Sequence, residues 1–295
     1  MNNHFFSIVI PTYNRASYVK KTVESLLQQR YDQFEIIVVD DGSSDNTEEI
    51  ISAIESYKVH YYKKENAERG AARNYGARLA KGTYINFFDS DDLAYPNHLM
   101  EANNAINYFY QPEVLHLGYD IKDVNGIMIK KVDYLPQTIN ESLIDGNHLS
   151  CNGVFLRKDI AWQSPFSENR LLSASEDYAL WLRLASRYDF YCWNVITSTI
   201  VNHDQRSVLN IKHDEFLLRM EALKDELLAD PFFQKRYKKK WNKFRAYQDV
   251  LISLHLAMAK YDKRVSLSYL WSAITFRPFI ILTRRFLAAL KNILL

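Results

Sequence analysis

The chain has 295 residues, 47% of them hydrophobic, enough to bury a core in one large domain or two smaller ones. Two cysteines, Cys151 and Cys192, are too few for a disulfide framework or a cysteine-based metal site and read as buried thiols. The formal net charge of +2 hides an asymmetry: residues 231–295 carry 14 Lys and Arg against 2 Asp and Glu, and residues 1–230 carry 23 against 33.

The first 115 residues alternate strand and helix patterns. "FFSIVI" (5–10) predicts a strand stopped by Pro11, and "SYVKKTVESLLQQ" then puts Val19, Val23, Leu26 and Leu27 on one helical face. "FEIIVVD" (34–40) is a β-branched strand, followed by the turn "DGSSDNT" and a helix. "VHYYKK" (59–64) is a short strand, "ERGAARNYGARLAKG" a helix closed by Gly82, and "TYINFF" (83–88) the next strand. Strands alternating with helices predict an α/β fold: a single Rossmann-like domain with a mostly parallel central sheet. Ligands collect outside the carboxyl ends of such strands. The polar clusters 12–14, 40–45 and 89–92 fall at those ends and are expected to converge on one edge.

Further on, "VLHLGY" (114–119) is a strand, with a hairpin around Asn125-Gly126. Residues 173–186 are helical by spacing, 190–201 give more strand, and everything from about Ile211 reads as helix. The expected division is 1–210 for catalysis and 211–295 for a basic, amphipathic helical extension.

Several constellations carry chemistry. In "YINFFDSDD" (84–92), alternate carboxylates at a strand end share one side. Such hard oxygen donors suit Mg²⁺ or Mn²⁺ bridged to substrate phosphates; the plainer reading is a solvated acidic turn capping the helix near Pro96. Asp40 ends a buried strand, where a carboxylate can accept an N–H from a nucleobase, whereas Asp41, Ser43, Ser44 and Asp45 also suit a turn and helix cap. Arg69 and Arg73 lie four apart on one helical face and suit a diphosphate, or a solvated basic face paired with Glu65 or Glu68. Glu176-Asp177 can supply a general base, or simply complement a helix dipole. His203 is a third metal ligand only if the Asp cluster holds a cation.

In this order and spacing, "SIVIPTYNR", "FEIIVVDDGSSDNT", "ERGAARNYGA", "YINFFDSDD" and "SEDYALWLRL" resemble the signature blocks of the family-2 inverting glycosyltransferases, over roughly residues 5–205. The resemblance implies a nucleotide-sugar donor, a UDP-sugar by preference, with Mn²⁺ or Mg²⁺. It implies Thr12 and Tyr13 at the nucleobase, with Asp40 accepting the base N–H and Asn14, Arg15, Asp41, Arg69 and Ser90 around the nucleotide. Arg73 would face the diphosphate, Asp89 the ribose or the metal, and Asp91 the metal with Asp92 nearby. His203 would be metal- or phosphate-facing. Asp177 would be the general base, with Glu176 the alternative. A magnesium-dependent phosphatase using Asp89, or a non-catalytic nucleotide- or sugar-binding protein, are the competing classes.

The tail alternates bases with aromatics and offers Trp271, Phe276 and Phe279. It suits the inner face of a membrane, or another subunit through the same helices, and no nucleic-acid module accompanies it. No stretch of about 18 apolar residues and no signal-peptide pattern occurs, so the expected place is the cytoplasm, peripheral to the inner membrane face. There the acceptor would be a saccharide or polyprenyl-linked saccharide for a surface glycan.

Overall fold

A computed structural model describes residues 2–204 and 212–295. The expected boundary at 210/211 lies outside the described residues. In chain order the first half comprises β1 (Phe6–Thr12), α1 (Ala16–Leu27), β2 (Phe34–Asp40), α2 (Thr47–Ser52), β3 (Val59–Lys63), α3 (Glu68–Leu79), β4 (Tyr84–Phe87), β5 (Leu93–Ala94), α4 (His98–Tyr108), β6 (Val114–Asp123) and β7 (Met128–Val132). There follow β8 (Val154–Arg157), α5 (Lys158–Gln163), α6 (Glu176–Ala185) and β9 (Phe190–Asn202). The helices after that are α7 (His213–Ala229), α8 (Pro231–Tyr237), α9 (Trp241–Met258), α10 (Lys263–Phe276) and α11 (Arg284–Leu294).

The chain divides into two compact units: residues 2–139, 149–180 and 188–204 form the first, and residues 140–148, 181–187 and 212–295 the second. In the first, the strands form one sheet in the order β3-β2-β1-β4-β8-β6-β9-β5, with β7 paired to β6. The β3-β2-β1-β4 half is wholly parallel, as the crossover pattern predicts. β8 then inserts antiparallel between β4 and β6, which makes the sheet mixed. Every residue of β1 and β2 is buried, as expected for parallel strands covered on both faces. The hairpin joining β6 and β7 turns at the expected Asn125-Gly126.

Gly82 is not the helix stop that the sequence suggests. α3 ends at Leu79 with Ala80 as its cap. Gly82 lies beyond it, where a Cβ would sit 2.5 Å from Ser7 N and 2.8 Å from Phe5 O. The glycine is needed for close chain approach rather than for helix termination.

The second unit is helical. Its core gathers Ala246 and Val250 of α9, Leu270 and Ala273 of α10, Ile280, and Phe286, Ala289 and Ile293 of α11. Arg187 makes two hydrogen bonds to Asp230, at 2.7 and 3.0 Å, and Tyr237 Oη donates to Asn140 O at 3.0 Å. Phe276, expected to be offered outward, is instead partly buried against this core with the Arg245 guanidinium 3.9 Å above its ring. Trp271 and Phe279 remain exposed. No helix among the described residues is long and apolar enough to cross a membrane.

Candidate active site

Because β1, β2 and β4 run parallel, their carboxyl ends rise on the same edge. That edge borders a cavity of about 470 Å³ lined by, among others, Thr12, Tyr13, Arg15, Asp41, Arg69, Arg73, Asp89, Ser90 and Asp91. Nine residues predicted from separate motifs therefore share one wall. Tyr13 stands half exposed at its rim, and Thr12 is buried with an Oγ1 that has no hydrogen-bond partner among the described residues. A buried hydroxyl of that kind on a cavity wall has hydrogen bonding left for a ligand.

Asp40 and Asp41 have different jobs. Asp40 is fully buried: its Oδ1 accepts the Ser43 N–H at 2.7 Å and its Oδ2 the Tyr61 hydroxyl at 2.5 Å. Burial, then the Asp40 carboxylate, pushes the Tyr61 phenol far above its ordinary range. Asp40, expected to meet the nucleobase, thus holds the turn behind the wall. The lining carboxylate is Asp41, whose Oδ1 accepts from Lys64 Nζ at 2.7 Å and Ala67 N at 3.0 Å. Asn14 likewise acts as a strut. It adopts φ of +49° and its Oδ1 accepts the Ser44 N–H at 2.8 Å, tying the loop after β1 to the loop after β2.

α3 brings the cationic side. Arg73 is 1% exposed; it donates to Glu176 Oε1 at 2.5 Å and to Asp89 Oδ1 at 2.7 Å, and its guanidinium lies 5.0 Å from the Phe166 ring centroid. The solvated alternative for Arg73 is therefore overturned. Arg69, one turn earlier, lies 3.8 Å from the same Glu176 carboxylate, while Glu68 pairs with Arg170.

The acidic motif divides its labour too. Asp92 is a scaffold residue: its carboxylate accepts from Asn152 Nδ2 at 2.7 Å and from Val201 N at 2.9 Å. Asp91 faces Arg15 and His203, with His203 Nε2 at 3.0 Å and the imidazole stacked on Tyr18 at 4.6 Å between centroids. Buried His203 Nδ1 has no hydrogen-bond partner among the described residues. No group of three or more His, Cys, Asp or Glu side chains suited to a metal occurs among the described residues. Asp91 and His203, a carboxylate beside an imidazole, nevertheless offer two donor side chains that would fit a divalent cation.

Glu176 and Asp177 open α6. Burial works against the Glu176 charge, but Arg69 and Arg73 override it and hold its carboxyl below the usual range. Asp177 moves the other way: burial, then the Glu176 charge, raises it to about 6. Neighbouring carboxyls driven apart in this way suit different roles, an ionised anchor and a base poised near neutrality.

Some contributors escape sequence reasoning. Asn66 and Glu68 line the cavity, and Glu68 adopts φ of +73° at the start of α3. Asn152, fully buried, accepts the Asp89 N–H at 2.8 Å while donating to Asp92, so it orients the acidic motif from some sixty residues away. A lone Asn in "LSCNGV" gives no sign of this.

The Glycosyl transferase family 2 profile matches residues 7–116. A Rickettsia typhi protein named an uncharacterized glycosyltransferase is 35% identical over 191 residues, which cover 62% of this chain and 60% of that one. The match spans less than a third of two other Rickettsia relatives. The Escherichia coli UDP-Glc:alpha-D-GlcNAc-diphosphoundecaprenol beta-1,3-glucosyltransferase WfgD is 32% identical over 191 residues, covering 62% of this chain and 71% of WfgD. In fold, the S. aureus TarS 1–349 complex with UDP-GlcNAc superposes with a TM-score of 0.62 at 18% identity, over 94% of this chain and 90% of that one. With WfgD matched over more than two thirds of its length, and the family profile matched over the segment that holds β1, β2 and β4, this chain belongs to glycosyl transferase family 2.

Proposed function

We propose that the chain is an inverting glycosyltransferase that moves a sugar from a nucleoside diphosphate donor, UDP-linked by preference, to a saccharide hydroxyl. The observation that carries the reading is Arg73, which lines the cavity with Asp41, Asp89 and Asp91 and is paired behind it with Glu176, the neighbour of Asp177. The nucleobase lies between Tyr13 and Asp41, with the Thr12 hydroxyl in reach, and the diphosphate faces Arg69 and Arg73. Asp91 and His203 would hold a divalent cation, Mn²⁺ or Mg²⁺, which would supply neutralisation of the charge growing on the leaving diphosphate oxygen. Asp177 takes the proton from the acceptor hydroxyl, whose oxygen attacks the anomeric carbon as the bond to the diphosphate breaks. Attack from the face opposite the leaving group inverts that centre, as in inverting hydrolases. A phosphatase reading built on Asp89 is disfavoured, because it leaves Asp41, Arg73 and Asp177 without a role.

WfgD is named for a diphosphoundecaprenol-linked acceptor. With the basic C-terminal region, this supports a lipid-linked saccharide acceptor in surface glycan synthesis, reached from the cytoplasm at the inner membrane face. The catalytic work falls on the first unit.

The test is thermal stabilisation by UDP, GDP and their sugars, with Mn²⁺, Mg²⁺ or EDTA, followed by donor hydrolysis. A ligand at about a hundred times its dissociation constant adds about 2.7 kcal/mol. The expected result is metal-dependent stabilisation by one nucleotide, lost in Asp91→Ala. A folded protein that answers to no nucleotide would sink the reading.

A further inference from the structure

α11 is strongly amphipathic, yet its apolar side is already spent: Phe286, Ala289 and Ile293 are buried in the core of the second unit. What faces outward is a different stripe. Arg284, Leu287, Lys291 and Leu294 are all exposed and stand three or four apart, so basic and apolar side chains alternate along one face. Just before it, the 3-10 turn Pro278–Leu282 buries Ile280 completely but leaves Phe279 75% and Leu282 74% exposed. Residues three apart eclipse in a 3-10 turn, so these two project together.

The turn is held, not loose. Pro278 fixes its entry, Ile280 N donates to Arg277 O at 2.9 Å, and Thr283 Oγ1 donates to Ile280 O at 2.7 Å. Two large apolar side chains are thus kept in water by a turn whose middle residue is anchored in the core. Along this part of the chain the charge is of one sign: residues 263–295 contain six Lys and Arg and no Asp or Glu.

We propose that the Pro278–Leu282 turn and the outward face of α11 seat on an anionic lipid surface, with Phe279 and Leu282 entering the acyl boundary and Arg284 and Lys291 meeting phosphate headgroups. Apolar tips ringed by bases suit the interface of a charged bilayer. A second copy is a poorer occupant, because a two-fold contact through this face would set like charges together. Nucleic acid would use the bases but leave Phe279 and Leu282 without a place. Arg285 takes no part, since its guanidinium donates to Asp145 O at 2.9 Å. The inference deepens the membrane part of the proposed function and stands apart from its transfer chemistry.

The experiment is co-sedimentation of the full chain with phosphatidylcholine vesicles, with and without phosphatidylglycerol, for wild type, Phe279→Ser/Leu282→Ser and Arg284→Gln/Lys291→Gln. Donor hydrolysis without vesicles serves as the folding control. Wild type is expected to bind the anionic vesicles. The apolar pair should weaken binding roughly tenfold or more, and the basic pair should flatten its salt dependence. Wild type that ignores every vesicle overturns both this surface and the membrane reading. Binding by wild type that both variants retain overturns this surface alone. Variants that bind vesicles normally but turn a dimer into a monomer would assign the face to self-association.

Discussion

Arg73 Nη1 and Glu176 Oε1 lie 2.5 Å apart, and the two side chains are only 2% and 4% exposed. Removing Glu176 leaves the buried guanidinium with only the partly exposed Asp89 carboxylate, at up to about 3–5 kcal/mol. Glu176→Ala should therefore lower the stability of the chain by that order in denaturant unfolding. Asp89→Ala removes the other carboxylate on Arg73, but from a side chain that is 29% exposed, and should cost clearly less. Equal losses would mean that Glu176 is not the anchor of the guanidinium.

Asp177 should show opposite signs in stability and activity. Its carboxyl is raised to about 6 by burial and by the Glu176 charge, so the folded state prefers the proton more than the unfolded chain does. The ionised form strains the fold above about pH 6, and the strain disappears as pH falls towards the unfolded value near 4. Asp177→Asn should stabilise the protein near pH 8, by up to about 3 kcal/mol, and do nothing near pH 4. The same change should remove roughly 10²–10⁴ of the transfer rate, the usual worth of a general base. Wild-type kcat/KM should fall on the acid side of pH 6. A flat acid limb, or an Asn variant with full rate, would give the proton to another group.

The convergence of the polar clusters on one sheet edge was legible for a physical reason. Parallel strands deliver their carboxyl ends to one side, so Thr12, Asp41, Asp89 and Asp91 can be grouped from strand order alone. What each carboxylate does there was not legible. Asp40 and Asp41 are adjacent and chemically identical, and only the folded chain shows that Ser43 and Tyr61 occupy one of them. The insertion of β8 between β4 and β6 escaped for a related reason, since strand pairing across some seventy residues leaves no trace in local periodicity. Likewise the spacing of α11 reveals an apolar side but not that Phe286 and Ile293 already bury it.

Asp40 and Asp41 can be separated by experiment. Asp40→Ala removes both hydrogen bonds from a fully buried carboxylate and should destabilise the chain by about 2–4 kcal/mol. Asp41→Asn keeps an acceptor for Lys64 and Ala67, so the fold should survive while nucleotide affinity falls roughly tenfold or more. Calorimetric titration with the preferred nucleotide, beside thermal unfolding, reads both. A stable Asp40→Ala variant that cannot bind nucleotide would return Asp40 to the site.

Gly70 links the donor edge to the segment that carries Asp177. It lies on α3 between Arg69 and Arg73, and a Cβ there would sit 2.3 Å from Ser167 O, a backbone atom that cannot swing aside. Ser167 belongs to the stretch after Phe166, whose N–H donates to Asn74 Oδ1 at 2.9 Å and whose ring lies against Arg73. An added methyl must therefore push this stretch away from α3, at about 1–3 kcal/mol by the usual penalty for overpacking. Ala is the better helix former, by about 1 kcal/mol, so helix propensity alone predicts the opposite sign. Gly70→Ala should lower the thermal midpoint and also reduce kcat, because moving residue 167 disturbs the run into Glu176 and Asp177. A variant more stable than wild type, with unchanged kcat, would show that α3 and this stretch are not packed as tightly as the 2.3 Å approach requires.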